Sequence, residues 1–447
     1  MPSTLLWLRR DLRLRDLPPL LDAAADDSEV LACFVLDPRL EANAGARRLQ
    51  FLGDSLRALN SDLGGRLLIT RGRPEEQIPK IAAAIAAKSV HISADFSPFG
   101  VRRDATVVAA LSDVPLVANG SPYLVSPGRV TKDDGSPYKV FTPFFRRWRE
   151  VGWRAPAQSD PAAVTWINPD GVAALPRRVE APDPGATLDI PAGEAAARHR
   201  WAEFLTDGIH TYSTDRDRPD KPGTSRMSAH LKYGTIHPRT MSADLITGEP
   251  GPDAYLRELA FRDFYASVLH QWPRSAWHNW NPNFDTIEID TGPQAEAVFE
   301  AWKQGRTGYP IVDAGMRQLA GTGFMHNRVR MIVASFLVKD LHLPWQWGAR
   351  WFLDQLVDAD IASNQHGWQW AAGTGTDAAP YFRVFNPTTQ GEKFDPAGDY
   401  VRRWVPELAD AAEVHKLKAG RPAGYPEPIV DHGTERTEAL RRYGLIG

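Results

Sequence analysis

Thr4-Leu5-Leu6-Trp7-Leu8 is an unbroken apolar run that stops abruptly at Arg9-Arg10-Asp11. A strand without polar alternation is one covered on both faces, as the strands of a parallel sheet are. Similar runs recur at Val30–Leu36, Leu67–Thr70 and Val90–Ser93, with a weaker one at Pro115–Ala118. Between them the period lengthens to a helical one near Leu17–Ala25, Ala46–Leu63, Glu75–Ala87 and Arg102–Leu111. Strands alternating with helices pair in parallel. Residues 1–130 therefore predict an α/β domain around a five-stranded, parallel, doubly wound sheet, with its ligand at the carboxyl ends of the strands. No G-x-G-x-x-G follows the first strand and no P-loop pattern occurs, which disfavours a dinucleotide dehydrogenase and a P-loop NTPase.

Outward from that sheet the pattern changes twice. Residues 131–193 read as an interdomain connector. From about Ala155 to Gly193 they are rich in Pro, Ala and Asp, with Trp166, Ile167 and Leu175 as the points that would dock such a strap. Residues 194–447 read as an all-helical domain. Asp253–Gln271 places Tyr255, Glu258, Arg262 and Tyr265 along one helical face. Val312–Leu319, His326–Asp340, Trp345–Val357 and Asn364–Ala371 follow. A chain of 447 residues with 43% hydrophobic and 24% charged residues suits two or three globular domains. No apolar run approaches the roughly 18 residues that span a bilayer. Arg9, Arg10, Asp11 and Arg13 stand where a signal peptide would continue its apolar core, so the expected location is cytoplasmic. The single Cys33 excludes an intramolecular disulfide and a multi-cysteine metal site. A net charge of −3 argues against a uniformly basic coat but permits a local basic groove.

The helical part carries the chemistry. Gly223-Thr224-Ser225-Arg226-Met227-Ser228 offers hydroxyls, an arginine and backbone amides just before a helical stretch, which is what a phosphate needs. Met325-His326-Asn327-Arg328-Val329-Arg330-Met331 starts another helix. Between Met316 and Arg350 five basic residues stand against one acid, Asp340. Asp358-Ala359-Asp360 is followed by Asn364 and by Gly367-Trp368-Gln369-Trp370. These carboxylates lack a histidine pair or a glycine-turn calcium loop, so no metal is expected. His326, His366 and His415 read as polar contacts rather than as acid–base residues. A Ser-His-Asp context is not visible.

Taken together, these segments resemble the DNA photolyase and cryptochrome family, in particular the class I photolyases that repair cyclobutane pyrimidine dimers. The resemblance rests on Trp7-Leu8-Arg9-Arg10-Asp11-Leu12-Arg13, Gly223–Ser228, Gly308-Tyr309-Pro310-Ile311-Val312-Asp313-Ala314, Met325–Met331, Gly367–Trp370 and Ala378–Pro387, and covers nearly the whole chain. It implies an antenna pigment on the N-terminal sheet and FAD in the helical domain. Tyr212, Thr224, Ser225, Arg226, Met227 and Ser228 match positions that hold the FAD phosphates and adenosine side. Tyr255 matches a flavin-pocket position where relatives usually have Trp, and Arg262 matches another cofactor contact. Asp358, Ala359 and Asp360 match the stretch along the flavin, with Arg330 placed to pair with Asp358. Asn364 matches the residue facing flavin N5; plant cryptochromes have Asp there, which favours repair over a photoreceptor role.

The resemblance extends to the substrate. A dimer inside a duplex must be flipped out and held between aromatic and polar groups. Trp370 matches the stacking aromatic, Glu258 and Asn327 the groups that hydrogen-bond the bases, and Met331 a contact to the lesion. Phe261 stands where the second aromatic wall is normally Trp. Arg216, Arg262, Arg328 and Arg383 match residues that grip the DNA backbone. The implied activity is that of a deoxyribodipyrimidine photo-lyase, acting as a monomer on dimer-containing DNA; the alternative is a cryptochrome-type blue-light photoreceptor. Asp95-Phe96-Ser97-Pro98-Phe99-Gly100 resembles relatives whose antenna is an 8-hydroxy-5-deazaflavin, with Arg10, Phe34, Leu36, Asp95 and Lys232 as its pocket. Methenyltetrahydrofolate, or no antenna, is the alternative. Relatives rereduce the flavin through three tryptophans. Trp368 matches the proximal one and Trp345 the middle one, but the outermost position falls on Gly292. Glycine cannot carry a hole, so either Trp347 or Trp351 takes over or the relay stops at Trp345.

Overall fold

Strand β1 (Ser3–Leu8) runs parallel to β2 (Glu29–Leu36) on one side and β4 (Ala87–Ile92) on the other. β3 (Leu68–Arg71) flanks β2 and β5 (Leu116–Ala118) flanks β4, giving the order β3-β2-β1-β4-β5. The computed structural model describes residues 2–380, 382–417 and 420–446; Tyr381, inside the run Ala378–Pro387, lies outside them. Leu5 stands opposite Leu31 and Val90, and these join Trp7, Cys33 and Val35 on one face of the sheet. Beyond α2 (Ala46–Asp62) in sequence, that face is covered by Ile78 and Ile81 of α3 (Pro74–Ala84) and Val107 of α4 (Pro98–Ala110). Thr4 alternates to the other face, where its Oγ1 donates to the carbonyl of Ala23 at the end of α1 (Pro18–Ala23), 2.7 Å away. Both faces are covered, which is why the strand runs are continuously apolar.

The helix boundaries follow local chemistry that the apolar period does not carry. α4 begins at Pro98, four residues ahead of the expected Arg102, because Ser97 caps it through Oγ and proline suits the first helical position. α3 ends at Ala84 rather than Ala87. Ala86 turns left-handed with φ 49° and Ala87 already belongs to β4. The strand order reverses between β1 and β4, so the crevice at their carboxyl ends lies beside Arg9, Arg10 and Ser93–Asp95.

By the density of internal contacts the chain forms two units. A sheet unit comprises Met1–Tyr138, Thr142–Asp207 and Ser225–Gln271, and a helical unit comprises Lys139–Phe141, Gly208–Thr224 and Trp272–Gly447. Within the sheet unit the strap after α5 (Phe141–Val151) docks on the sheet. Val30 and Ile69 exchange backbone hydrogen bonds with Thr165, Ile167 and Val179, while Ile167 and Leu175 pack on the apolar core. The long helix α6 (Pro250–Gln271) is pinned by buried Asp263, whose Oδ2 accepts from Val125 N at 2.8 Å and Trp148 Nε1 at 3.0 Å. Burial raises that carboxyl to about 7.

The helical unit packs α7 (Pro293–Lys303), α8 (Pro310–Thr322), α9 (Asn327–Lys339), α10 (Trp345–Gln355) and α11 (Ile361–Ala372) around one apolar core. α12 (His432–Gly444) docks on it: Tyr443 Oη donates to Ala372 O at 2.6 Å and His342 meets Glu435 at 2.8 Å. α10 and α11 approach closely at Gly348, where a Cβ would lie 2.1 Å from the Trp368 ring. Among the described residues no helix is long and apolar enough to cross a membrane.

Candidate functional site

In the helical unit the start of α9 is organised by His326. Its Nδ1 accepts from the Arg328 amide at 3.2 Å and caps the helix. The acceptor role leaves the proton of a neutral imidazole on Nε2, and that atom is buried with no partner among the described residues. Burial lowers the ring to about 4, so it is neutral at physiological pH. Asn327 follows at the exposed first position, with Nδ2 4.0 Å from Met331 Sδ one turn on. Arg328 is engaged by Asp217 at 2.9 Å and lies over the Phe394 ring at 4.4 Å. Arg330 donates through Nε to Met325 O and through Nη2 to Asp358 Oδ2, both at 2.8 Å. Asp358 Oδ1 is buried and unpartnered among the described residues.

Along α11 each side chain has a distinct task. Asp360 Oδ1 accepts from the amides of Ala362 and Ser363 at 3.1 Å and caps the helix, next to buried Ala359. Asn364 Nδ2 donates to Ala349 O at 3.1 Å and Gln365 Oε1 at 2.7 Å, and its oxygen has no partner among the described residues. Trp368 lies one turn further on the same face, buried against Phe352 at 5.0 Å and Trp302 at 6.1 Å between ring centroids. Trp370 points elsewhere, half-buried, 6.5 Å from Phe385. His366 and Gln369 are structural: His366 bonds Ala362 O and Ser275 Oγ, and Gln369 bonds Ser275 O and Trp280 N. Arg383 lies over Phe385, and its carbonyl accepts from buried Lys339 at 2.8 Å. Tyr212 is buried beneath the guanidinium of Arg216, 5.6 Å from its ring centre. Thr224 is partly buried.

The sheet unit holds the remaining expected residues. Ser225 Oγ and Tyr255 Oη share a hydrogen bond of 2.8 Å, with Tyr255 packed against Trp201 and Phe204. Arg226 pairs with Asp189 at 2.7 Å from a left-handed backbone, φ 60°. Met227 is buried and Ser228 exposed. Glu258 and Phe261 are partly exposed on α6, and the Arg257 guanidinium stands between the rings of Phe145 and Phe261 at 5.3 and 5.8 Å. Arg262 donates to the carbonyls of Pro122 and Leu231 at 2.6 and 3.1 Å. At the crevice beyond β1 and β4, Arg10 Nε reaches Lys232 O at 3.4 Å. Asp95 bonds Arg103 at 3.3 Å and Ser97 N at 3.0 Å. Burial alone would raise Asp95, but the charges of Arg103, Arg10 and Arg9 outweigh it and hold the carboxyl at about 2. Phe34 and Leu36 are buried at the end of β2.

Residues 4–162 match the family model described as DNA photolyase, and residues 255–444 match the FAD binding domain of DNA photolyase. A Streptomyces griseus deoxyribodipyrimidine photo-lyase is 42% identical over 461 residues, which cover 97% of this chain and 98% of the relative. A bacterial class III photolyase from Agrobacterium tumefaciens superposes with a TM-score of 0.88 at 36% identity, covering 100% of this chain and 98% of that one. A Synechocystis cryptochrome superposes with a TM-score of 0.89 at 27% identity, covering 99% of each chain. This chain belongs to the DNA photolyase family. As a photolyase-family protein it has to accommodate FAD, and the helical unit offers what a flavin edge requires. Asp358 Oδ1 is a buried acceptor and His326 Nε2 a buried donor, each without a protein partner among the described residues. A ring edge that alternates carbonyl and N–H groups satisfies both kinds of atom.

Two buried residues of the helical unit were not singled out from the sequence. His326 was read as an ordinary polar contact, and its cap is ordinary; only burial of Nε2 marks it. Trp302 served only as a counting mark, yet it is fully buried against Trp368. Fifteen tryptophans in one chain give no sign of which of them touch.

Proposed function

We propose that this protein splits cyclobutane pyrimidine dimers in DNA in a light-dependent reaction, with FAD as its bound redox group. The observation that supports this most directly is the division of labour on α11. Asn364 and Trp368 share one face a single turn apart, whereas Trp370 leaves the helix on another side and is partly exposed. One helix thus carries a buried redox face and an exposed aromatic for stacking a base. When bound, FAD supplies the photoexcited electron that goes to the dimer and is recovered after the ring opens.

The chain's own residues bind, orient and exclude. Arg330 fixes Asp358 so that Oδ1 accepts from the cofactor, and His326 donates from Nε2. In the helical unit Tyr212 and Thr224 are the residues for the FAD phosphates and Ala359 and Asp360 those along the flavin; in the sheet unit Ser225, Arg226, Met227, Ser228 and Tyr255 are those for the phosphate and adenosine side. In the helical unit the flipped dimer stacks on Trp370 and touches Met331, and Asn327 reads its polar edge; in the sheet unit Phe261 offers a stacking face and Glu258 a polar contact. Arg216, Arg328 and Arg383 bind phosphates. Arg328 exchanges Asp217 for DNA at little cost, because a partly exposed ion pair is worth about 0–1 kcal/mol. Arg262 acts by holding the carbonyls of Pro122 and Leu231 in place. An antenna of the 8-hydroxy-5-deazaflavin type sits at Arg10, Phe34, Leu36, Asp95 and Lys232, and the absorption spectrum of the purified protein tests for it.

The decisive experiment is repair of a thymine-dimer oligonucleotide under blue light by the FAD-bound protein. Repair that requires light is the expected result. Bound FAD without repair would favour the photoreceptor reading, for which the superposition on a cryptochrome is the supporting observation. Base–aromatic stacking is worth about 1–3 kcal/mol. Trp370→Ala is therefore expected to weaken dimer-DNA binding by roughly 5- to 150-fold, with FAD content unchanged. Equal affinity at matched salt would remove Trp370 from the pocket.

A further inference from the structure

Lys339, the last residue of α9, is among the largest fully buried side chains of the helical unit, 1% exposed. A cation taken out of water is costly, and an apolar side chain of similar volume is often the more stable choice at such a position. The flavin and DNA contacts do not use it. Burial lowers the ammonium to about 8 against the opposing effect of the Asp340 charge, and the charge of Arg383 adds to the fall.

Its surroundings show what the buried charge holds. Nζ donates to the carbonyl oxygen of Arg383 at 2.8 Å and lies 5.5 Å from the ring centre of Tyr443 on α12. Asp340, next in the chain, is engaged by His432 of α12, and Glu435 of that helix by His342. Residues 383–386 form neither helix nor strand, and Arg383 is exposed. A second tie to α9 is long: the Phe385 amide reaches Ser335 Oγ, one turn before Lys339, at 3.4 Å. The Arg383 guanidinium lies over the Phe385 ring at 5.8 Å, and that ring is 6.5 Å from Trp370. A carbonyl in an exposed segment can bond water instead, so its bond to Lys339 adds little to folding. What the bond fixes is the direction of the segment.

We propose that Lys339 is a positioning residue for DNA: by gripping the Arg383 carbonyl it presents the Arg383 guanidinium on Phe385, beside Trp370, to the DNA backbone. The inference rests on the reading that Arg383 binds that backbone. Lys339 is buried and acts through Arg383. An arginine already held in place loses less freedom when DNA arrives, and affinity rises by that difference. As pH rises through about 8 the ammonium becomes a neutral amine. Hydrogen bonds from a charged donor are roughly twice as strong as neutral ones, so the grip loosens with the proton. Affinity for DNA therefore falls with rising pH, and the fall depends on Lys339.

The test is binding and light-driven repair of a thymine-dimer oligonucleotide by the FAD-bound protein at matched salt. Wild type is compared with Lys339→Met, Arg383→Ala and the double variant. Methionine suits a buried site of this length, so Lys339→Met is expected to keep or raise the urea midpoint. Its affinity for dimer DNA should fall by roughly tenfold at pH 7, the low end for one hydrogen bond from a charged donor. Repair at saturating DNA should stay near the wild-type rate. The affinity gap between wild type and Lys339→Met should narrow from pH 7 to pH 9. In the Arg383→Ala background Lys339→Met should remove little further affinity. Unchanged affinity in Lys339→Met, or an equal loss with and without Arg383, overturns the inference. A urea midpoint and FAD content that fall together with affinity make Lys339 a core residue only, which overturns it too. If Arg383→Ala alone binds as tightly as wild type, the reading of Arg383 as a DNA contact fails, and the inference falls with it.

Discussion

Two arginine–aspartate pairs, one at the sheet and one among the helices, look alike and are used differently. Asp95 has both carboxylate oxygens engaged, by Arg103 and by the Ser97 amide, with Arg9 and Arg10 close enough to hold its charge. Asp358 has one oxygen on Arg330 and leaves the other buried and unpartnered among the described residues. A pair with both oxygens engaged holds its own loop and has only its remaining lone pairs to offer a ligand. A half-used pair carries a desolvation cost that a ligand donor can offset. The difference separates a carboxylate held on both oxygens by its own protein partners from one that keeps a buried acceptor for a ligand.

Arg330→Ala should separate the two most. It leaves Asp358 as a buried carboxylate without its partner, at a cost on the order of 3 kcal/mol, the low end for a broken buried pair because the arginine is partly exposed. Urea unfolding and FAD retention would both fall. Arg103→Ala should cost less, since Arg9 and Arg10 still face Asp95. Equal losses from the two variants would end the distinction.

His326 sharpens the comparison through pH. Burial holds its folded pKa at about 4, below the ordinary 6.5. Between those values the unfolded chain binds a proton that the folded one refuses, so stability falls as pH drops from 6.5 towards 4, by about 3 kcal/mol. His326→Asn keeps a capping side chain and should flatten that fall by one histidine's share, while His230 and His366, also lowered to about 4, retain theirs. Denaturant midpoints at pH 7 and pH 5 measure it; an unchanged slope would show that His326 is not buried neutral.

Asp95 works in the opposite direction and lower on the pH scale. Its folded pKa of about 2 lies below the ordinary 3.8, so its contribution of about 2 kcal/mol is full above pH 3.8 and is lost as pH falls through about 2. The stability gap between wild type and Asp95→Asn should close over that window. The smallest expected effect belongs to the proposed lesion wall. Phe261→Trp enlarges the stacking face and should tighten dimer-DNA binding by up to about fivefold, near 1 kcal/mol. Weaker binding would mean that Arg257, placed between Phe145 and Phe261, leaves no room for an indole.

Much of this was legible in the residues, for physical reasons that differ by element. Continuous apolar runs made β1 to β4 readable because burial on both faces removes alternation. Helix starts at Pro98, Pro250 and Pro310 lay outside the apolar period, since proline suits the first helical positions, helped at Pro98 by the Ser97 cap. The pairing of Arg330 with Asp358 was legible only through family resemblance, because nothing in their spacing relates two residues 28 apart in sequence.

By itself the sequence determined the α/β-then-helical order, the family, and which residue types stand ready for FAD and DNA. Those properties reside in local periodicity and in contiguous motifs. Only the tertiary structure decided that β1 lies between β2 and β4, that Arg262 is committed to two backbone carbonyls, that Asp358 keeps one oxygen unpaired among the described residues, and that Trp302 lies edge-on to Trp368. Each of these depends on which helix faces which neighbour. Packing sets that through close approaches such as Gly348 against Trp368, and no residue carries that information alone.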